Sequence, residues 1–166
     1  MKIDRVAGFG LLLLRIVMGG FYLNEARHQL VKGWIGGDGL ERMLRTALDN
    51  NSIPSFHRYF LEHVVLEADQ VFTIVVILGE LGVGTAFVLG ILTRFTALTA
   101  LFMNINFFLM NDTGGRAVDA AFIVGELLLL SFAARQVLSV DGFLARRGFR
   151  SAWLNSPLRP EAKRTG

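Results

Sequence analysis

Four stretches of the chain are apolar for close to the length of a membrane crossing, and isolated polar side chains interrupt them. They cover about Val6–Leu30, Asp69–Leu92, Arg94–Met110 and Ala117–Ala134. Because roughly 20 apolar residues cross the hydrocarbon core as a helix, the pattern predicts an all-α fold, an integral membrane four-helix bundle. The first two stretches overrun the core, so their outer ends stand in the interface. The third is short and carries no acidic or basic residue between its ends.

Residues 31–68 form a long outer loop with a pattern of its own. Asp38 followed by Glu41 reads as a capping box, and Leu40, Met43, Leu44, Ala47 and Leu48 recur at helical spacing. This predicts a short amphipathic helix that either lies flat on the outer leaflet or caps the bundle. After the turn signal at Asn50-Asn51-Ser52-Ile53-Pro54, residues Phe56, Tyr59, Phe60 and Val64 give a second apolar face that runs on into the second span. Small residues repeat every fourth position at Gly82, Ala86 and Gly90, and again at Ala117, Ala121 and Gly125. Such stripes let helix backbones approach closely where lipid offers no hydrophobic drive between helices.

Composition supports the membrane reading. Hydrophobic residues make up 52% of the 166 residues, and the mean hydropathy is +0.47. Length fits one domain. There is no cysteine, which excludes disulfides, thiolate metal sites and iron–sulfur clusters. The formal charge is +3, yet the basic residues gather at Arg146, Arg147, Arg150, Arg159, Lys163 and Arg164, just after the last apolar stretch. That placement reads as a topology signal, with lipid rather than nucleic acid as partner.

With both termini cytoplasmic, the inner side collects Lys2, Arg5, Arg94, Arg135 and the tail, while the outer loops mix Lys32, Arg42, Arg45, Arg58 and Arg116 with acids. The expected organisation is a four-span domain over 1–145 and a basic cytoplasmic tail over 146–166, in the inner membrane of a prokaryote. A cleaved signal peptide is disfavoured, since Arg15 interrupts the apolar run and no small-x-small site closes it.

Depth counting at about 1.5 Å per residue puts Arg15, Glu80, Asn104, Asn106 and Glu126 all roughly 13–18 Å from the inner ends of their spans. A central charge costs about 3 kcal/mol on insertion scales, so these groups are expected to face the bundle interior. The economical arrangement pairs Arg15 with Glu80 or Glu126. One reading makes the layer an ion-pair network that fixes helix register. The other makes it a site for a polar head group, such as a quinone, or a proton path; no single residue is assigned as catalytic.

A second cluster stands at the outer ends: Glu25, Arg27 and His28 close the first span, Asp112, Arg116 and Asp119 open the fourth, and His57 and His63 approach from the loop. As a functional site it would receive a small oxyanion at Arg27, His28, Arg58 and Arg116; as a structural feature it is a set of interfacial ion pairs worth little each. Haem and metal ligation are not expected, because the three histidines lie in or beside the loop without ligand spacing. No flavin motif is recognisable.

Several motifs resemble the DoxX and DoxD membrane proteins. They are Gly79-Glu80-Leu81, Gly84, Gly90, the Leu92-Thr93-Arg94 turn and Asn104-Ile105-Asn106-Phe107. The first span with Arg15-Ile16-Val17-Met18-Gly19-Gly20, the loop segment Tyr59-Phe60-Leu61-Glu62-His63-Val64-Val65, and Ala134-Arg135 to Ser139-Val140-Asp141 extend the resemblance over most of the chain. Ala134 departs from the glycine that often precedes the arginine. The long first outer loop is more similar to the DoxD type, a subunit of thiosulfate:quinone oxidoreductase. The resemblance implies a four-helix membrane protein, electron transfer from thiosulfate to quinone as its activity, and quinone as its cofactor. The alternative is a non-catalytic accessory subunit of a larger respiratory or photosynthetic membrane complex, and either reading implies a hetero-oligomeric complex or a homo-oligomer.

Overall fold

A computed structural model describes residues 2–49, 53–132 and 138–147, and every element among them is helical. Helix α1 (Lys2–Val31) is followed by the short α2 (Gly39–Leu48) and α3 (Ser55–Phe60). α3 continues through a π-turn at Leu61–Val65 and a 3₁₀ turn at Leu66–Ala68 into α4 (Asp69–Leu89). Helices α5 (Thr93–Met110), α6 (Thr113–Phe132) and the short α7 (Val140–Arg146) complete the order. α1 packs on α4 and α6, α4 on α5, and α5 on α6, which closes a ring of four helices.

Each long helix turns a seam of period close to 3.5 toward the centre: Arg15, Met18, Tyr22, Ala26 and Gln29 on α1, and Thr73, Ile77, Glu80, Gly84 and Phe87 on α4. Such spacing keeps one face against its neighbours along the whole helix. Charged and polar side chains share the interior with an apolar core, while many large apolar side chains face outward: Phe9, Val17, Val71, Leu78, Phe95, Phe102, Val118, Val124 and Leu127 are all exposed. In water this distribution would be a continuous apolar patch far larger than a soluble protein carries. In lipid it is the low-energy arrangement.

Among the described residues, Val6–Val31 and the helical run Ser55–Leu89 are long and apolar enough to cross a membrane. α5 and α6, at 18 and 20 residues, are about 27 and 30 Å long and stand beside them in the ring. The protein is an all-α membrane protein.

Glycine decides how closely α1 and α4 approach, though not at the stripe the sequence suggests. A Cβ on Gly19 would stand 2.8 Å from the Gly84 carbonyl, and one on Gly84 would stand 2.9 Å from that of Gly19. Gly82 has nothing within 4 Å and faces out. On α6 the stripe is half right: Gly125 is buried against Met18, whereas Ala117 and Ala121 are exposed. Gly90 serves instead to end α4. At φ +67 it lets its own amide reach Phe87 O and the Ile91 amide reach Ala86 O, a Schellman closure.

Where the long loop lies, α2 caps the bundle rather than lying flat. Leu40 and Leu44 join Ile53, Leu61, Val65 and Met110 in a second apolar cluster, and Gln70 at the start of α4 pins the loop by accepting from the Gly36 amide (2.8 Å) and donating to Gly37 O (2.6 Å). Asp38 does occupy the α2 N-cap, but no capping box forms. Its carboxylate pairs with Arg42 at 3.0 Å, and Glu41 pairs with Arg45 at 2.7 Å, because an arginine at i+4 competes for each acid.

The second apolar face is inverted. Phe56, Tyr59, Phe60 and Val64 are exposed, and the buried line is His57, Leu61 and Val65. A spacing of four drifts off one face of a 3.6-residue helix, and the wider π-turn over Leu61–Val65 brings the line back. The outward aromatics then match the belt where membrane proteins meet the interface.

Candidate functional site

Arg15 is fully buried, but it is not the partner of Glu80 or Glu126. Its Nη2 donates to Leu138 O at 2.8 Å, its guanidinium lies over Gly90, and the attractive charge it meets is Asp141 at the start of α7. Asp141 in turn accepts from the amides of Leu92 (2.9 Å) and Thr93 (2.8 Å) and from Thr93 Oγ1 (3.0 Å), while its own amide donates to Gly90 O (3.0 Å). One carboxylate thus caps the N-terminus of α5 and joins the α4–α5 turn to α1 and α7.

Two physical reasons separate Arg15 from the glutamates. α1 extends past the α4–α5 turn, so Arg15 is level with Gly90 and not with Glu80, which lies about 15 Å farther along α4. Side chains also tilt toward the N-terminus of their helix. On α1 that direction is toward the α4–α5 turn; on α4 and α6, which run the opposite way, it is toward the loop end.

Glu126 and Glu80 accordingly find neutral partners. Tyr22 OH donates to Glu126 Oε1 at 2.7 Å, and Asn104 Nδ2 donates both to Tyr22 OH at 2.5 Å and to Glu126 Oε1. Gln29 Nε2 donates to Glu80 Oε1 at 3.2 Å. Glu80 is near enough for its charge to act on Tyr22, so the two groups form one central cluster across all four long helices. Glu126 is 0% and Glu80 4% exposed, and Oε2 of each is buried without a hydrogen-bond partner. A buried carboxyl oxygen with no donor is costly, and such groups concentrate where protons or ligands are handled. Asn106 does not join the cluster; its Nδ2 donates to Phe102 O on its own helix.

The four residues expected to hold an oxyanion line neither of the two cavities described below. Arg27 and His28 are exposed on the last turns of α1. Arg58 donates to Leu48 O at 2.7 Å and lies 3.6 Å from Glu62. Arg116 donates to Phe108 O at 3.1 Å, with its guanidinium 5.9 Å from the Phe108 ring centre. Asp119 accepts from Asn111 at 2.8 Å, and His63 stacks on Tyr59 at 4.3 Å. Instead, an open cleft of about 640 Å³ at the loop end is lined by Lys32, Trp34, Arg42, Thr46, Asn111 and Asp112 among others. Arg42 and Lys32 bring positive charge to it.

A second cavity, of about 340 Å³, lies between the loop cap and the outer halves of α4 and α5. Apart from Thr99, its polar lining residues are His57 and Asn106. His57 is 3% exposed, and its Nε2 has no hydrogen-bond partner.

Sequence reading misses Tyr22, Gln29, Thr93 and Asp141 as members of these groups. The signal for the first two is their place on the seam that starts at Arg15, at positions +7 and +14. Thr93 and Asp141 stand in the Leu92-Thr93-Arg94 and Ser139-Val140-Asp141 motifs of the resemblance, but that they meet depends on α7 folding back on the α4–α5 turn. The basic tail lies outside the described residues from residue 148 on.

The DoxX family matches residues 10–111, which takes in α1 through α5 and thus Arg15, Tyr22, Gln29, Glu80 and Asn104. Glu126 and Asp141 follow the matched span. No curated protein and no solved structure matches the chain. With 102 of its 166 residues matched (10 to 111 inclusive), and with the helical bundle and buried polar seam those residues build, the chain belongs to the DoxX family.

Proposed function

We propose that the chain is a membrane subunit that passes electrons from a small sulfur oxyanion, such as thiosulfate, to quinone, with both termini on the cytoplasmic side of a prokaryotic inner membrane. The observation that carries this reading is the central cluster: two buried glutamates whose hydrogen bonds come from Gln29, Tyr22 and Asn104, each with one oxygen unpartnered. When two thiosulfates join through a new S–S bond they release two electrons, and quinone takes up those electrons with two protons to give quinol. A source of protons inside the bundle is the part of that reaction that needs protein.

The chain's residues supply it in a definite way. Asn104 donates to both Tyr22 and Glu126 and so fixes their mutual orientation. The Tyr22 hydroxyl gives its hydrogen to Glu126, and Gln29, two turns farther along the same face of α1, donates to Glu80, so one helix addresses both carboxyls. At the loop end, Lys32 beside the open cleft, with Arg42 shared with Asp38, gives the donors that would meet a small anion, across from Asp112.

The test is thiosulfate-dependent reduction of a short-chain quinone by the protein, extracted gently with whatever subunits accompany it and reconstituted in liposomes. Quinol formation with tetrathionate in equal amount supports the reading. No quinol under those conditions overturns it and leaves the accessory role.

A further inference from the structure

The cavity between the loop cap and the α4–α5 face is separate from the central cluster, and its construction is specific. Its walls are apolar side chains such as Phe60, Phe72 and Met103, and exposed Val75 and Phe102 border it on the side that faces lipid. At about 340 Å³ it falls in the range of roughly 300–1,000 Å³ that small-molecule sites occupy. An apolar hollow of this kind would need no histidine. Yet His57 is turned inward where its neighbours Phe56 and Tyr59 turn outward.

The ring of His57 lies within the wall of the cavity, and its Nε2 is buried without a hydrogen-bond partner. In the neutral imidazole one ring nitrogen carries the hydrogen and the other is an acceptor, so with the hydrogen on Nδ1 the buried Nε2 offers a lone pair to the cavity. A buried acceptor without a donor is costly. A hydroxyl entering the cavity removes that cost.

We propose that this cavity binds an apolar, ring-bearing molecule drawn from the lipid phase that carries a hydroxyl group, with the hydroxyl donating to His57 Nε2 and the apolar body resting between α4 and α5. The proposal does not depend on the redox reading, since neither Glu80 nor Glu126 lines the cavity.

The experiment uses matched probes on the whole protein in nanodiscs: 4-propylphenol, and 4-propylanisole, which has the same ring and chain but no donor. Binding is read by ligand-observed NMR titration. The expected result is saturable binding of the phenol about tenfold tighter than the anisole, the worth of one buried hydrogen bond. In His57→Phe the preference disappears while the anisole still binds; His57→Gln, which keeps an acceptor, retains part of it. Thr99→Phe, which fills the cavity from α5, abolishes binding of both. Equal affinity of the two probes for the wild-type protein overturns the proposal and makes the cavity a groove for acyl chains. A phenol preference unchanged in His57→Phe overturns it as well.

Discussion

Replacing Arg15 tests the reassignment of its partner directly, because the two arrangements predict couplings to different acids. In the structure Arg15 donates to Leu138 O and meets the charge of Asp141. Opposite unit charges at about 6 Å interact by roughly 3 kcal/mol at an effective dielectric near 20, and by about 1 kcal/mol at 15 Å, the offset between the levels of Gly90 and Glu80. Asp141→Ala removes that charge and also the acceptor of the Leu92 and Thr93 amides and of the Thr93 hydroxyl. Breaking a buried pair from one side costs about 3–5 kcal/mol. Arg15→Met keeps the packing of the stem and leaves the cap on α5 in place, so it costs less. Double-mutant cycles, measured by denaturant titration in mixed micelles, should give a coupling of about 2–3 kcal/mol for Arg15 with Asp141 and under about 1 kcal/mol for Arg15 with Glu80 or Glu126. A coupling that is largest with either glutamate refutes the reasoning.

Other consequences follow from single sites. Gly19→Ala places a Cβ 2.8 Å from the Gly84 carbonyl and should cost about 1–3 kcal/mol in thermal denaturation, whereas Gly82→Ala, with open space around it, should be neutral or slightly stabilising. Gly90→Ala combines a left-handed backbone at φ +67 with a Cβ 2.5 Å from that of Ser139; a loss above about 2 kcal/mol is expected, and a neutral result contradicts the closure described at the end of α4. A tryptophan in place of Phe56 should be quenched by brominated lipid, while one in place of buried Leu44 should not; the opposite order would mean that the loop cap is turned over.

The four long helices are legible in the sequence because a membrane span needs only length and low polarity, and both are local properties. The polar seam is legible for the same reason: in lipid, an isolated glutamate or asparagine has one comfortable direction. Pairing is another matter. Depth counting assumes that the spans share a starting plane, and α1 does not start where α4 ends. It also ignores side-chain tilt, which sends Arg15 one way and Glu80 the other on antiparallel helices. α3 shows a different limit. Its apolar residues identify a face but not what the face meets, and here lipid claims Phe56 and Tyr59 while the protein interior takes His57. The glycine stripe fails at Gly82 because a small residue permits close approach without requiring it; Gly19 and Gly84 are where the backbones meet.

The most direct test of the central claim, that the buried glutamates exchange protons with the electron acceptor, is an infrared difference spectrum of the reconstituted protein between oxidised and reduced quinone. The account predicts a change in the carboxyl C=O stretching band on reduction, lost in part in Glu126→Gln and in Glu80→Gln and shifted in Tyr22→Phe, which removes the hydroxyl that donates to Glu126. A difference spectrum in which quinone reduction proceeds with no carboxyl band, or with a band that both glutamine variants leave intact, contradicts it.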